Sequence, residues 1–486
     1  MALAALNKGR CIALPEAAAY CELGCGHGFS ANLLAAANPQ VQFHSNDFNP
    51  SHVAGARRLA REAGLSNAHF YEESFADFAN VPGLPAQFDV IALHGVYSWV
   101  SPENREHLIA FIAQRLKPGG LVFISYNTLP GWASMMPLRR VVVDHAALSG
   151  GPLPSRIKDA LAFAEELVGI DAAYFRQNSS AGAQLAQMKT MSPNYLAHEY
   201  FNGDWTLFYF EDVAADLSRA KLSFVGSAKL LDQLDSLQLT GKQRDFLSKE
   251  SDPLRREGLR DILINERFRC DLFAKGAGEH TFRTGVAAWL ATRFTLTSRR
   301  QDIPATVRGA RKHPDSLPAI APLLDALANG PRTTRELLGD AVVAAMNWDQ
   351  ITQALAVLVG SGHVQPCLPE DGESVRHESC RAFNLAVCTR SEETQDYQFL
   401  ASPITGGGVA VDRIEQLFLI AIREGHGDPA SWARFAWQVL APQGNKLVRH
   451  GAILETPEEN AAFLDERAAS FAANRLPLLE GLKVGL

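Results

Sequence analysis

Tyr20-Cys21-Glu22-Leu23-Gly24-Cys25-Gly26-His27-Gly28-Phe29 decides the fold of this chain. An apolar run enters it, glycines take every second position, and Phe29 to Asn38 (FSANLLAAAN) then has the composition of a helix. A strand, a tight turn and a helix start therefore follow within ten residues. Glycine adopts positive φ without steric penalty and leaves bare main chain for a ligand to lie against. The first turn of the helix behind it carries N–H groups with no intrahelical partner.

Two nucleotide-type ligands use such a turn. A dinucleotide site calls for G-x-G-x-x-G, with the third glycine allowing close helix–strand packing and the helix N-terminus aimed at a pyrophosphate. Here the third glycine comes one position early, at Gly28, and Phe29 stands where that pattern reserves a glycine. Glu22, near the strand end, would repel phosphate but suits a cation. S-adenosylmethionine carries a sulfonium, an ammonium and no phosphate, so E-x-G-x-G-x-G favours it over NAD.

Outward from the turn, Val41 to Asn46 (VQFHSN) alternates as a second strand, and Asp47 follows it, nineteen residues beyond Gly28. That is the distance at which an acid at the tip of the second strand reaches a ribose diol. Helix capping is the competing role for Asp47, with Asn49-Pro50 next to it. Pro50 to Ala63 reads as a second helix stopped by Gly64, and Ala68 to Glu73 as a third strand. Phe88 to Leu93 (FDVIAL) is nearly all apolar, as expected for a strand buried on both faces of a parallel sheet. Ser101-Pro102-Glu103 opens a helix, with Ser at the N-cap and Pro at the first helical position. That helix runs to a turn at Lys117-Pro118-Gly119-Gly120, and Leu121 to Ser125 is a fifth strand. Strands alternating with helices predict a doubly wound α/β sheet. Ligands of such sheets sit beyond the carboxyl ends of the strands, where Glu22, Asp47, Ser74, His94 and Tyr126 all fall.

Residues 135–195 break this rhythm and read as a helical insertion forming a lid or a dimer surface, with a separate helical domain as the alternative. A helix after Tyr209-Phe210, a strand over Leu222–Ser227 and another over Phe268–Lys275 then complete the sheet, giving a first domain of residues 1–280. Thr281 to Asp315 reads as a linker or strand pair, basic at Arg299, Arg300, Arg308, Arg311 and Lys312. Residues 281–370 form a middle domain with winged-helix rhythm. Its helices lie at Pro322–Asn329, Thr333–Leu338 and Trp348–Gly360, with a wing around His363-Val364. Winged helices read DNA through a basic third helix; Trp348–Leu358 carries no Lys or Arg, so protein contact or plain scaffold is expected. Residues 371–486 read as α-rich, with helices at Asp412–Glu424, Ala430–Leu440 and Pro457–Asn474. Gly406-Gly407-Gly408 reads as a plain loop there.

The 486 residues set a length prior of about three domains. With 47% apolar and 20% charged residues, the composition is that of a globular protein with a well-buried core. No stretch of about eighteen apolar residues predicts a membrane span. The opening MALAALNKGRCIALPEAAAY lacks a long apolar segment before a cleavage site, so the expectation is a cytoplasmic protein. The seven cysteines show no C-x-x-C spacing, and Cys21 and Cys25 have no Cys/His partners for zinc, so no metal is expected. A net charge of −7 argues against general nucleic-acid binding.

The motifs together resemble a known group. ELGCGHG (Glu22–Gly28), NDFNP (Asn46–Pro50), LHGVYSWVSPENR (Leu93–Arg105), and SYNTLPGW (Ser125–Trp132) with PLRR behind it look like the S-adenosylmethionine-dependent methyltransferases that carry a methyltransferase regulatory domain. The rickettsial outer-membrane-protein lysine methyltransferases belong to that group. The resemblance is specific over about residues 18–140, looser from His198-Glu199-Tyr200 to Gly276, and weakest in the last third. It implies a Rossmann-like, class I cofactor domain with a seven-stranded, mostly parallel sheet, helical insertions that dimerise, and winged-helix-like and helical C-terminal regions. By motif position it implies Glu22, Gly24, Gly26, Gly28, Asp47 and His94 as cofactor residues. Methyltransferases often place an acid near the adenine amino group at the end of the third strand. Ser74 and Phe75 stand at that place, with Asp77 close enough to substitute. Relatives usually have more chain before the first strand than the seventeen or so residues found here.

Methyl transfer from a sulfonium is an in-line displacement in which the enzyme chiefly supplies position, worth ~7–11 kcal/mol. A lysine acceptor with pKa ≈ 10.4 costs about 4.6 kcal/mol to present neutral at pH 7, and burial against aromatic surface lowers that pKa. Tyr97, Trp99, Tyr126 and Trp132, with Asn127 among them, lie near two strand ends and suit such a channel. Tyr97 and Tyr126 are the expected lining of the transfer site, and Trp99, Asn127 and Trp132 the expected substrate contacts. The expected acceptor is a protein lysine; the alternatives are a small-molecule methyltransferase and a non-catalytic S-adenosylmethionine sensor.

Overall fold

The computed structural model describes residues 1–12, 15, 17–304, 320–444, 446–449 and 451–486. The basic positions Arg308, Arg311 and Lys312 lie outside the described residues.

Seven strands form the central sheet: β1 (Ala19–Leu23), β2 (Gln42–Asn46), β3 (Ala68–Tyr71), β4 (Phe88–Leu93), β5 (Leu116–Asn127), β6 (Ser223–Ser227) and β7 (Phe268–Ala274). Their order is β3-β2-β1-β4-β5-β7-β6. The first five are parallel, with Leu23 opposite Asn46 and Tyr20 opposite Val90. β7 runs antiparallel between β5 and β6, with Leu121 opposite Ala274. This is the expected Rossmann-like sheet. Lys117 to Gly120, expected as a turn, instead lies within β5, where the register against β4 shifts.

Successive side chains of a strand point to opposite faces, and both faces here are covered. Tyr20, Phe43, Val90, Leu121 and Leu272 pack on one side. Cys21, Ile91, Val122, Ile124 and Tyr126 pack on the other, with Leu108 and Ile112 of helix Pro102–Arg115 and Val213 and Leu217 of helix Phe210–Ser218. The expected insertion falls between β5 and helix Phe210–Ser218. It consists mainly of helices Met136–Leu148, Leu153–Gly169, Ser179–Met188 and Pro193–Glu199, with an apolar core of its own.

The expected boundary at residue 280 does not separate two cores. Trp289, Phe294, Leu324, Ile351, Leu355 and Val364 join the cluster that covers the first sheet face, together with Leu3, Ala4 and Ala5 of helix Ala2–Asn7. In the middle region the helices fall at Ala321–Leu327, Thr334–Leu338 and Trp348–Gly360. Its three-stranded antiparallel sheet takes its central strand from Arg293–Leu296, flanked by Arg332–Thr333 and Val364–Cys367. The last third contains an unexpected helix, Glu373–Arg390. The triple glycine is no plain loop: Gly407–Ala410 pairs with Phe399–Ser402. Among the described residues, no helix is long and apolar enough to cross a membrane.

Candidate active site

The carboxyl edge of the sheet carries two adjacent features. The first is the glycine turn. Gly24, Gly26 and Gly28 all have positive φ, at +72°, +55° and +64°. A Cβ on Gly24 would lie 2.7 Å from Val96, and one on Gly28 2.5 Å from Ala56 and 2.7 Å from Phe70, so both positions exclude any side chain. Beside Gly26 the space is open, leaving its backbone accessible. The turn is pinned to the second strand: Cys25 N–H donates to Asn46 O at 2.9 Å, and Gly26 N–H to Asp47 Oδ2 at 2.9 Å. Asp47 Oδ1 also accepts from Asn49 N–H at 2.9 Å and lies 3.2 Å from His52 Nδ1. Asn49, not Asp47, caps helix Pro50–Glu62, which leaves Asp47 as the acid that joins the turn to the tip of β2.

Glu22 lies under this turn, 6% exposed, and its Oε2 has no hydrogen-bond partner among the described residues. Burial raises its pKa to about 7. A buried carboxylate without a partner is costly, and a cation placed against it would remove that cost. Phe75, at the tip of β3, approaches to 3.6 Å of the space above Gly24. Ser74 plays a local role: it caps helix Phe75–Phe78, and its hydroxyl donates to Asp77 Oδ2 at 2.7 Å. Phe48, next to Asp47, is 79% exposed.

The second feature is a cavity of about 490 Å³ at the ends of β4 and β5. The strands contribute Asn127 and Phe268, the segments just beyond them His94, Trp99, Trp132 and Arg267, with Trp99 and Trp132 in short helical turns, and the insertion Gln184, Tyr195, Glu199 and Tyr200. His94 opens onto the cavity with its ring stacked on Phe123 at 6.0 Å, and burial lowers its pKa, which favours the neutral imidazole. Trp132 packs edge-on against Tyr200 and Trp205, with the Arg267 guanidinium 4.6 Å over its ring. Gln184 clamps this wall, donating to the Tyr200 hydroxyl at 2.9 Å and accepting from Arg267 Nη2 at 3.2 Å. Burial raises the Glu199 pKa, opposed by the nearby Asn127 amide and Arg267. Among the described residues, Asn127 Nδ2 has no acceptor in good hydrogen-bond geometry, and neither do Trp99 Nε1 and Trp132 Nε1.

Of the residues expected at the transfer site, Trp99, Asn127 and Trp132 line the cavity, while Tyr97 and Tyr126 do not. Both tyrosines are fully buried in the core on the second sheet face. The Tyr97 hydroxyl donates to Asp216 at 2.7 Å and the Tyr126 hydroxyl to Asp271 at 2.7 Å. The reason is the strand period: Val122, Ile124 and Tyr126 share the core face, and Asn127 turns to the cavity. Asp271 also accepts from Arg269, which is bonded to Asp261, so Tyr126 belongs to a buried ionic network. Sequence reasoning did not assign Tyr195, Glu199, Tyr200 or Arg267. The only signal for any of them is His198-Glu199-Tyr200, which marks the resemblance without a role.

Residues 21–122 match the family description "Methyltransferase domain" and residues 192–275 match "Predicted methyltransferase regulatory domain". The chain is 42% identical over 466 residues, 96% of its length and 91% of the other's, to protein sll1526 of Synechocystis sp.. This chain belongs to the S-adenosylmethionine-dependent methyltransferases with a methyltransferase regulatory domain. The methyltransferase is also 25% identical over 256 residues, 52% of this chain and 45% of the other, to protein RP789 of Rickettsia prowazekii. Its fold is similar over 100% of this chain and 98% of the other to PKMT2 from Rickettsia typhi, solved in complex with AdoHcy, with a TM-score of 0.71 and 17% identity. The regulatory region of this methyltransferase is no separate body. It supplies β6 and β7 of the sheet and the cavity residues Tyr195, Glu199, Tyr200, Arg267 and Phe268.

Proposed function

We propose that this methyltransferase modifies lysine side chains of proteins, holding S-adenosylmethionine at the glycine turn and the acceptor amine in the adjoining cavity. The observation that carries the acceptor assignment is the aromatic wall of Trp99, Trp132, Tyr195 and Tyr200, which encloses one carboxylate, Glu199. Such a wall attracts an alkylammonium by ~0.5–2 kcal/mol per ring, and a carboxylate beside it is both counter-ion and proton acceptor. The likeness to a rickettsial protein solved with AdoHcy supports the cofactor part.

The residues present fit the cofactor. Glu22 would meet its positive charge, Gly24, Gly26 and Gly28 would offer it bare backbone, Asp47 would hold the ribose, and Phe75 with Ser74 would border the adenine. The bound cofactor supplies an electrophilic methyl group whose C–S bond breaks, with the electron pair left on sulfur, as the N–C bond forms. His94, kept neutral by burial, puts no cation next to the sulfonium. Glu199, its pKa raised by burial, is the better base for the proton that the amine must lose. Loss of water on entering the cavity opposes the attraction of the aromatic wall and lowers the amine's pKa.

A second reading, a small-molecule acceptor rich in oxygen, is favoured by the donors Trp99 Nε1 and Trp132 Nε1, which have no partner among the described residues. Incubating the purified protein with methyl-labelled S-adenosylmethionine and host lysate separates the readings. Label recovered as methyl-lysine in a protein supports the first, and label confined to small molecules supports the second. Tight cofactor binding with no label anywhere would make the protein a sensor.

A further inference from the structure

We propose that the carboxyl-terminal region is a working part of the cofactor site: Phe383 and Tyr397 grip Phe29, the residue after the glycine turn, and so position the turn. The inference rests on the reading that this turn holds S-adenosylmethionine.

Phe29 stands where a dinucleotide-binding turn would have its third glycine, and a ring at the first position of the helix needs a place to go. It turns away from the sheet into the last third of the chain. Its ring centroid lies 5.1 Å from that of Tyr397 and 6.0 Å from that of Phe383. The contact continues along helix Phe29–Ala37. Leu33, Ala36 and Ala37 share one apolar cluster with Phe383, Val387, Leu400 and Val409. Gly408, in the strand expected as a loop, brings its backbone so close to Leu33 that a Cβ would lie 3.1 Å away. Asn38 Nδ2 donates to Gly406 O at 2.9 Å at the far end of the same helix.

The grip also reaches the second strand's helix. Leu59 and Ala63 enter the same cluster. Arg390 donates through Nη2 to Glu62 Oε2 at 2.6 Å and through Nη1 to the Tyr397 hydroxyl at 3.2 Å. One carboxyl-terminal element therefore fixes both helices that follow the cofactor segments, the one after Gly24–Gly28 and the one after Asp47. A turn of three glycines has little rigidity of its own. Anchoring Phe29, the residue after it, together with the helix that follows Asp47 removes part of the ordering cost that binding would otherwise bear. Phe383 and Tyr397 are positioning residues acting through Phe29.

The test is a calorimetric titration of the full chain with S-adenosylmethionine, at a temperature where circular dichroism shows each variant folded. Tyr397→Ala and Phe383→Leu are expected to weaken binding at least tenfold, and Tyr397→Phe, which keeps the ring, to stay within twofold. Trp432→Ala removes a ring from the same cluster, packed on Phe471 rather than Phe29. It is expected to lower the melting temperature yet leave affinity within twofold. Affinity within twofold for both Tyr397→Ala and Phe383→Leu, or an equal loss in Trp432→Ala, overturns the proposal. If the unaltered protein binds no S-adenosylmethionine, the functional reading itself fails, a distinct result.

Discussion

The glycine turn and the acceptor cavity sit side by side on one sheet edge and are built in different ways. The turn uses backbone: three positive-φ glycines, N–H groups pinned to Asn46 and Asp47, and a carboxylate one strand-residue before them. The groups of the turn itself lie in consecutive β-α-β segments, with Phe383 and Tyr397 reaching it only through Phe29. The cavity uses side chains from four separated stretches, residues 94–99, 127–132, 184–200 and 267–268. A backbone site tolerates little change at its glycines and is written locally. A side-chain site is re-shaped by substitution and exists only once distant elements have packed. This division suits a transferase whose cofactor is constant and whose acceptor is specific.

The sharpest way to break the comparison is at Gly28. Gly28→Ala puts a Cβ into Ala56 and Phe70 at φ +64°, and strain plus overpacking should cost about 3 kcal/mol, read by urea unfolding. A loss below about 1 kcal/mol would mean the turn is more pliant than its geometry. Glu199→Gln probes the cavity side alone. Turnover on an authentic protein acceptor should fall by about 10²-fold, the lower range for a proton-transfer residue, with cofactor affinity unchanged. Equal turnover would remove Glu199 from the chemistry.

Glu22→Gln should weaken cofactor binding about tenfold, the value of one charge-assisted contact. The pH dependence sharpens this. With the free-protein pKa at about 7, affinity should be flat above pH 7 and fall below it towards a limit about tenfold weaker, since binding a cation favours the carboxylate. Stability runs the other way. The folded pKa is raised above the unfolded value, so the stability tied to protonated Glu22 is present below pH 4.5 and lost as pH rises through 7. The cofactor-free Glu22→Gln protein should therefore melt higher than the parent at pH 8, with no gap at pH 4. The smallest effect on activity is expected from Tyr97→Phe and Tyr126→Phe, with turnover within about twofold. Tyr126→Phe should lose about 1–3 kcal/mol of stability because the buried Asp271 loses a donor, and Tyr97→Phe less, because Asp216 is only half-buried.

The sequence by itself determined the parts whose signal is local. Glycine spacing set the turn, the apolar run FDVIAL set a strand buried on both faces, and Asp47 fell at the right distance because strand and helix rises are fixed. Tyr126, expected at the transfer site beyond a strand ending at Ser125, lies in the core instead, because β5 runs on to Asn127 and keeps Tyr126 in phase with Val122 and Ile124. Helix Glu373–Arg390 was not readable, because its buried face includes Arg376 and Asn384 and the apolar stripe is interrupted. Those polar groups are satisfied only in the folded chain, by the carbonyls of Pro403, Asp371 and Pro369 and by the backbone of Ala401. Tertiary structure alone decided that Phe29 meets Tyr397, that the triple glycine admits Leu33, and that Glu199 faces Asn127 and Arg267. Each of these joins residues far apart in the chain, and the free energy of such contacts belongs to the packed assembly and leaves no period or spacing in the segments that make it.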